Sequence, residues 1–159
     1  MISKLNDNEM FWGGMVGFKR QWDSVCNDRK VRFAEKHPGE LWAFHIIAAM
    51  AEMAVCKALG MYWDGSVGTF HVSDIPDQPI EVRWSTSGYL KVRKDDHHVI
   101  LVKVEGLPPT FQLIGWMRSK DAKAAKYLSD PNNRGVPAYF VPTNELRPMS
   151  QLREVLDGA

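Results

Sequence analysis

The chain is poor in cysteine, in net charge and in long apolar runs, and each shortage narrows what it can be. Two cysteines occur in 159 residues. Cys26 and Cys56 stand far apart with no Cys-x-x-Cys pair, each inside a helix-like pattern, which argues against a disulfide scaffold or a zinc ribbon and makes a reducing, cytoplasmic setting the default. Lys and Arg number 20 against 19 Asp and Glu, a formal net charge of +1. No whole-molecule field draws such a chain to nucleic acid or to an anionic membrane, so any polyanion site must be local. The opening MISKLNDNEMFWGG has no apolar run of the signal-peptide kind, and the longest apolar stretch, Ala43 to Val55, is broken by His45 and Glu52. Neither export by the usual route nor a membrane span is expected. Repeats and low-complexity tracts are missing, as are a Gly-rich phosphate loop and a Gly-x-Ser-x-Gly elbow.

What remains is ordinary globular material: 45% hydrophobic, 11% aromatic and 25% charged residues. A chain of this length makes one domain by the usual prior and buries about 70% of its unfolded surface. Phe11, Met15, Phe18, Trp22 and Val25 recur at helical spacing, with Asn6, Asp7 and Asn8 available as caps, so residues 1–26 read as an N-terminal amphipathic helical segment. Gly13, Gly14 and Gly17 weaken that helix by about 1 kcal/mol each relative to Ala. Residues 27–39 read as a connector. A stronger helix runs from Glu40 to Leu59, with Pro38 near its first turn and Gly60 just past its end.

Beyond Gly60 the period drops to two, with β-branched and aromatic runs at 67–72, 80–84, 89–93, 99–104 and 111–117 separated by turn-like segments. A short helix at 119–128, a last strand at 138–141 and a terminal helix at 150–156 complete an α+β or mixed α/β domain, with a core over 40–141 and a helical tail over 142–159.

Glu52 is the most informative single residue. Its helical neighbours Ala48, Ala49, Val55 and Cys56 are small and apolar, so its carboxylate needs a partner, a metal ion or a proton, unless this face lies at an exposed rim; an arginine serving structure alone would also do. Period-two geometry puts Glu81 and Arg83 on one face of a strand, opposite Ile80, Val82 and Trp84. Asp74 precedes that strand and can approach Glu81. Two carboxylates so placed suit Mg²⁺ or Mn²⁺, although acids at turns and on half-exposed strands are common without one. On the next strand Tyr89, Lys91 and Arg93 share a face, so that acids able to hold a metal and bases able to hold phosphates can line one surface. Asp95-Asp96-His97-His98 reads as a solvated hairpin tip. Trp63 and Trp84 are core residues or base-stacking platforms.

A helix carrying Glu (Ala51-Glu52-Met53-Ala54-Val55), an Asp at a strand end (Phe70-His71-Val72-Ser73-Asp74) and then Ile80-Glu81-Val82-Arg83-Trp84 resembles the PD-(D/E)XK nuclease superfamily, most of all its archaeal-type Holliday-junction resolvases, over residues 45–93. The resemblance implies a restriction-endonuclease-like core with a central, mostly antiparallel sheet of five to six strands flanked by helices. It implies Glu52 as the helix acid, Asp74 as the principal metal ligand and Glu81 as the second. Arg83 stands where the family usually has lysine, with Lys91 as the neighbouring amine.

The function so implied is metal-dependent hydrolysis of phosphodiester bonds in double-stranded or branched DNA, of the kind found in phage and mobile-element proteins, with Asp74, Glu81 and Glu52 around Mg²⁺ or Mn²⁺. The competing expectation is a catalytically inactive protein of the same architecture, acting as a binding, accessory or structural factor. The apolar stripe of the first helix, together with the habit of resolvase-like nucleases of acting in pairs, adds the expectation of a homodimer.

Overall fold

In the computed structural model the described residues are 1–29, 37–68, 72–97, 99–131 and 135–157. The chain begins with strand β1 (Ile2–Lys4) and helix α1 (Asp7–Cys26). A capping box starts α1: the Asn6 side chain accepts from the Glu9 N–H at 2.9 Å and Glu9 accepts from the Asn6 N–H at 2.7 Å. Helix α2 (Pro38–Leu59) has proline in its first turn and ends at Gly60, whose φ of 69° is the left-handed conformation that glycine adopts without steric cost.

The two helices meet through the glycines. Gly13, Gly17 and Gln21 form the buried face of α1. A Cβ on Gly17 would stand 2.5 Å from the His45 carbonyl oxygen and 2.7 Å from the Ile46 nitrogen. The glycines that cost helix propensity therefore cut the notch into which α2 fits. The apolar stripe lies outside that contact: Phe11, Met15, Phe18, Trp22 and Val25 are all exposed.

Strands β2 (Ile80–Trp84), β4 (Ile100–Leu107) and β5 (Thr110–Arg118) join β1 in a four-stranded sheet of order β1-β5-β4-β2. β2 runs parallel to β4, and the other pairs are antiparallel. Strands β3 (Tyr89–Val92), β6 (Leu128–Ser129) and β7 (Ala138–Pro142) make a separate antiparallel sheet of order β3-β7-β6. A short helix α3 (Ser119–Ala122), two 3-10 turns and helix α4 (Met149–Asp157) complete the α+β architecture.

One face of the larger sheet packs on α2 and α4, burying Ile80, Val102, Phe111, Leu113 and Trp116 with Ala51, Ala54, Val55 and Leu152. Behind it, Leu101 and Met117 join Leu90, Val92, Tyr127 and Val141 in a second cluster. Strand β4 is thus covered on both sides along residues 100–104, which is why its apolar residues run on rather than alternate.

The single sheet of five to six strands is corrected to sheets of four and three. The expected hairpin between the 80–84 and 89–93 runs does not form either. Ile80 and Val82 bury beneath α2 while Leu90 and Val92 bury against Val141, and these two apolar faces have separate covers that one ribbon could not serve. The expected strand at 67–72 falls partly on residues 69–71, which lie outside the described residues; the stretch from Val72 to Pro79 runs in bends and turns.

By length and composition Gly39–Leu59 is apolar enough to cross a bilayer. Its apolarity is also what a core helix needs, since Ala49, Ala51, Ala54 and Val55 are wholly buried against the rest of the chain.

Candidate acidic site

Glu52 lies in the middle of α2 with a side chain 6% exposed, and its partner comes from the other helix. Arg20 Nη1 and Nη2 donate to Glu52 Oε1 and Oε2 at 2.5 and 2.8 Å, a bidentate fork. Trp63 Nε1 donates to Oε2 at 3.3 Å, and Arg20 Nε donates to the Ser66 carbonyl at 3.0 Å, tying residues 61–68 to the pair. Arg20 follows Gly13 and Gly17 at helical spacing, so the notch that admits α2 also delivers the guanidinium. Burial and the field of Asp74 push the Glu52 carboxyl up to about 7, against the opposing pull of Arg20 and Trp63. Burial works against the Arg20 charge, but its bonds to Glu52 and the fields of Glu52, Asp74 and Asp64 hold its proton more firmly than usual.

Asp74 comes from the turns before β2 and is anchored to that strand: the Val82 N–H donates to Asp74 Oδ2 at 2.7 Å. Glu81 and Arg83 project from β2 away from the α2 core. Arg83 Nη1 donates to Glu81 Oε1 and Arg83 Nη2 to Asp96 Oδ2, both at 2.7 Å. The Asp96 side chain is 4% exposed, and its Oδ1 is buried with no hydrogen-bond partner among the described residues. Burial, then the charge of Asp74, and after these Asp96 and Glu52, raise the Glu81 carboxyl to about 8, with Arg83 opposing. Glu81 thus feels Asp74, Asp96 and Glu52, and Glu52 feels Asp74, while Arg20 is bonded to Glu52 and Arg83 to Glu81 and Asp96.

Three of the residues singled out from sequence, Glu52, Asp74 and Glu81, therefore lie within one another's field, and Arg83 joins them by direct contact with Glu81. Lys91 sits elsewhere: on β3 of the smaller sheet it is exposed, with Nζ 5.6 Å from the centre of the Phe140 ring. With Arg93 and Lys94 it lines a hollow of about 500 Å³ closed by Gly135 to Ala138. Trp84 is held by its indole N–H to the Gly106 carbonyl at 2.8 Å and packs edge-on against Phe44, so it is a core residue. His97 is exposed with Nδ1 3.1 Å from the Asp95 carbonyl oxygen; His98 lies outside the described residues.

Sequence reasoning missed Arg20, Asp96 and Lys103. Asp96 reads as a solvated tip residue, yet Lys123 Nζ donates to both the Lys94 carbonyl, at 3.1 Å, and the Asp96 carbonyl, pinning that turn to the end of α3. Lys103 is wholly buried opposite Arg83 in the β2–β4 register. Its Nζ donates to the carbonyl and hydroxyl oxygens of Ser85 at 2.5 and 2.7 Å and pairs with Glu105 at 3.2 Å, while burial lowers its proton affinity. The one available signal was a lysine inside an otherwise apolar strand.

All of the acid donors are carboxylate oxygens, the hard type that Mg²⁺ and Mn²⁺ prefer. The buried Asp96 Oδ1, without a hydrogen-bond partner among the described residues, is the polar atom that such a cation would satisfy. Among the described residues, no three Asp, Glu, His or Cys side chains converge as a finished metal cage. Comparison with family models, with curated proteins and with solved structures finds no match.

Proposed function

We propose that the protein is a metal-dependent DNA endonuclease of the PD-(D/E)XK kind, with a cation site at Asp74 and Glu81. The observation that carries this reading is the bond from the Val82 N–H to Asp74 Oδ2 at 2.7 Å, which seats Asp74 on β2 beside Glu81, with Arg83 two positions on and bonded to Glu81. Asp74 and Glu81 would hold Mg²⁺ or Mn²⁺, and Asp96 supplies a buried carboxylate beside them. When bound, the cation supplies charge neutralisation at the scissile phosphate and a more acidic water.

The chain's own residues do the rest. Arg20 takes both oxygens of Glu52, so Glu52 acts on the site through its charge and through Arg20 rather than as a ready ligand. The planar Arg83 guanidinium would hold phosphate oxygens through its fork of N–H donors. Lys91, Arg93 and Lys94 outnumber Asp95 in the hollow they share and would give the near-neutral chain a local basic track for the DNA backbone.

A second reading, a nuclease-derived binding protein without catalysis, is favoured by the engagement of Arg83 with both Glu81 and Asp96. Incubation with supercoiled, linear and branched DNA in Mg²⁺ or Mn²⁺ separates the two. The nuclease reading expects cleavage that Glu81→Ala and Asp74→Ala abolish. Cleavage of none of the substrates, or cleavage unaffected by Glu81→Ala, overturns it.

A further inference from the structure

The largest unexplained surface lies on α1. Phe11 is 64% exposed, Trp12 63%, Trp22 57% and Val25 59%, with Met15 and Phe18 only slightly less so. Beside this ridge runs a groove of about 920 Å³ between α1 and residues 61–67, walled by Trp12, Trp22, Tyr62 and Trp63. At about 150–250 Å² per aromatic side chain, the open rings of Phe11, Trp12, Phe18, Trp22 and Tyr62 present on the order of 600 Å² of apolar surface before Met15 and Val25 are added. That equals or exceeds the largest patch on a typical monomer and approaches the roughly 800 Å² per partner that a stable interface buries.

The charge around the groove selects among occupants. Glu9 and Asp64 stand against Lys19 in its lining. Among the described residues lining it, a polyanion would meet two acids and one base. A second protein surface that is itself apolar fits best, and the stripe is complementary to itself. Its members span Phe11 to Val25 with Phe18 at the centre. In an antiparallel pairing about a twofold axis at Phe18, Phe18 meets its own copy, Phe11 faces Val25 of the second copy and Met15 faces Trp22, so the outer rings meet smaller side chains. Phe18 is stacked on Trp22 at 6.1 Å and tilted against Trp42 at 5.0 Å, which fixes the centre of the ridge before association.

We propose that the chain is a homodimer whose two α1 helices pack antiparallel about Phe18, independently of whether the acidic site is catalytic. Sedimentation and light scattering on the full chain across a wide concentration range should give twice the 18.1 kDa chain mass. The Phe18→Glu/Trp22→Glu variant should run as a folded monomer with a lowered unfolding midpoint that no longer depends on protein concentration, since it loses the partner and the Phe18–Trp42 contact. In a Cys26→Ser background, Phe18→Cys should cross-link through a disulfide under diamide on the order of tenfold faster than Trp12→Cys, since only the former faces its own copy. A parent chain of monomer mass, a double-Glu variant that stays dimeric or unfolds, or equal cross-linking at the two positions overturns the proposal.

Discussion

Glu52 and Arg20 form a buried pair in which each ion depends on the other. Breaking such a pair from one side costs about 3–5 kcal/mol, whereas replacing both partners by apolar groups is often neutral. Glu52→Gln and Arg20→Met should each lower the urea midpoint strongly, and Arg20→Met/Glu52→Leu should recover most of the loss; additive effects in the double variant would deny the coupling. Glu81 makes a different prediction. Its carboxyl is raised to about 8 by burial and by Asp74, Asp96 and Glu52, with Arg83 opposing. The folded chain therefore keeps a proton that the unfolded chain releases above its ordinary value of about 4.3. That contribution is complete below the unfolded value, declines as pH rises towards 8 and is flat beyond. Unfolding midpoints measured across this window should fall with pH, Glu81→Gln should remove the larger part of the fall, and Glu52 should account for the remainder below about 7. An unchanged slope in Glu81→Gln would contradict the assignment. Glu52 was legible as an acid in need of a partner because its own helix surrounds it with small apolar residues. The identity of that partner was not, since Arg20 arrives from another helix and no spacing rule links the two.

The helices and strands were largely legible because each carries its own punctuation: the capping box before α1, Pro38 and Gly60 around α2, and the period-two run of β2, whose bounds match the pattern. Which elements pair was not. β2 and β3 are neighbours in sequence and fall in different sheets, because pairing depends on where Leu90 and Val92 find cover rather than on the turn that joins the strands. β1 and β6 are too short to show a period. The glycines of α1 show how a propensity rule inverts in context. Alanine at Gly17 should raise helix propensity by about 1 kcal/mol, yet its Cβ would meet the backbone of α2 at 2.5 Å from the His45 carbonyl oxygen. Gly17→Ala should therefore destabilise the chain by about 1–3 kcal/mol in a denaturant titration. A neutral or stabilising outcome would mean that the helices do not approach this closely. The same substitution should also disturb the Arg20–Glu52 fork one turn away, which the Glu52 double-variant cycle would register as weakened coupling.

For the molecule as a whole, the near balance of 20 basic and 19 acidic residues hides two local imbalances. Glu81 and Asp96 gather on Arg83 and Glu52 on Arg20, while Lys91, Arg93 and Lys94, with Asp95, line a hollow at the smaller sheet. Nothing in the overall composition forecasts this separation; it arises because the chain folds its acids behind two arginines and leaves these bases at a surface hollow. The central claim is that the acidic group is a cation site, and linkage gives it a direct measurement. A ligand bound only by the folded chain stabilises it by RT ln(1 + [L]/Kd), about 2.7 kcal/mol at a hundred times Kd. Thermal unfolding should be followed at a pH above 8, where Glu81 has given up its proton, with Mn²⁺ titrated in. The account predicts a saturable rise in midpoint that vanishes in Asp74→Asn and Glu81→Gln and shrinks as pH falls below the Glu81 value. No rise with Mn²⁺ or Mg²⁺, or a rise that both variants retain, would contradict it.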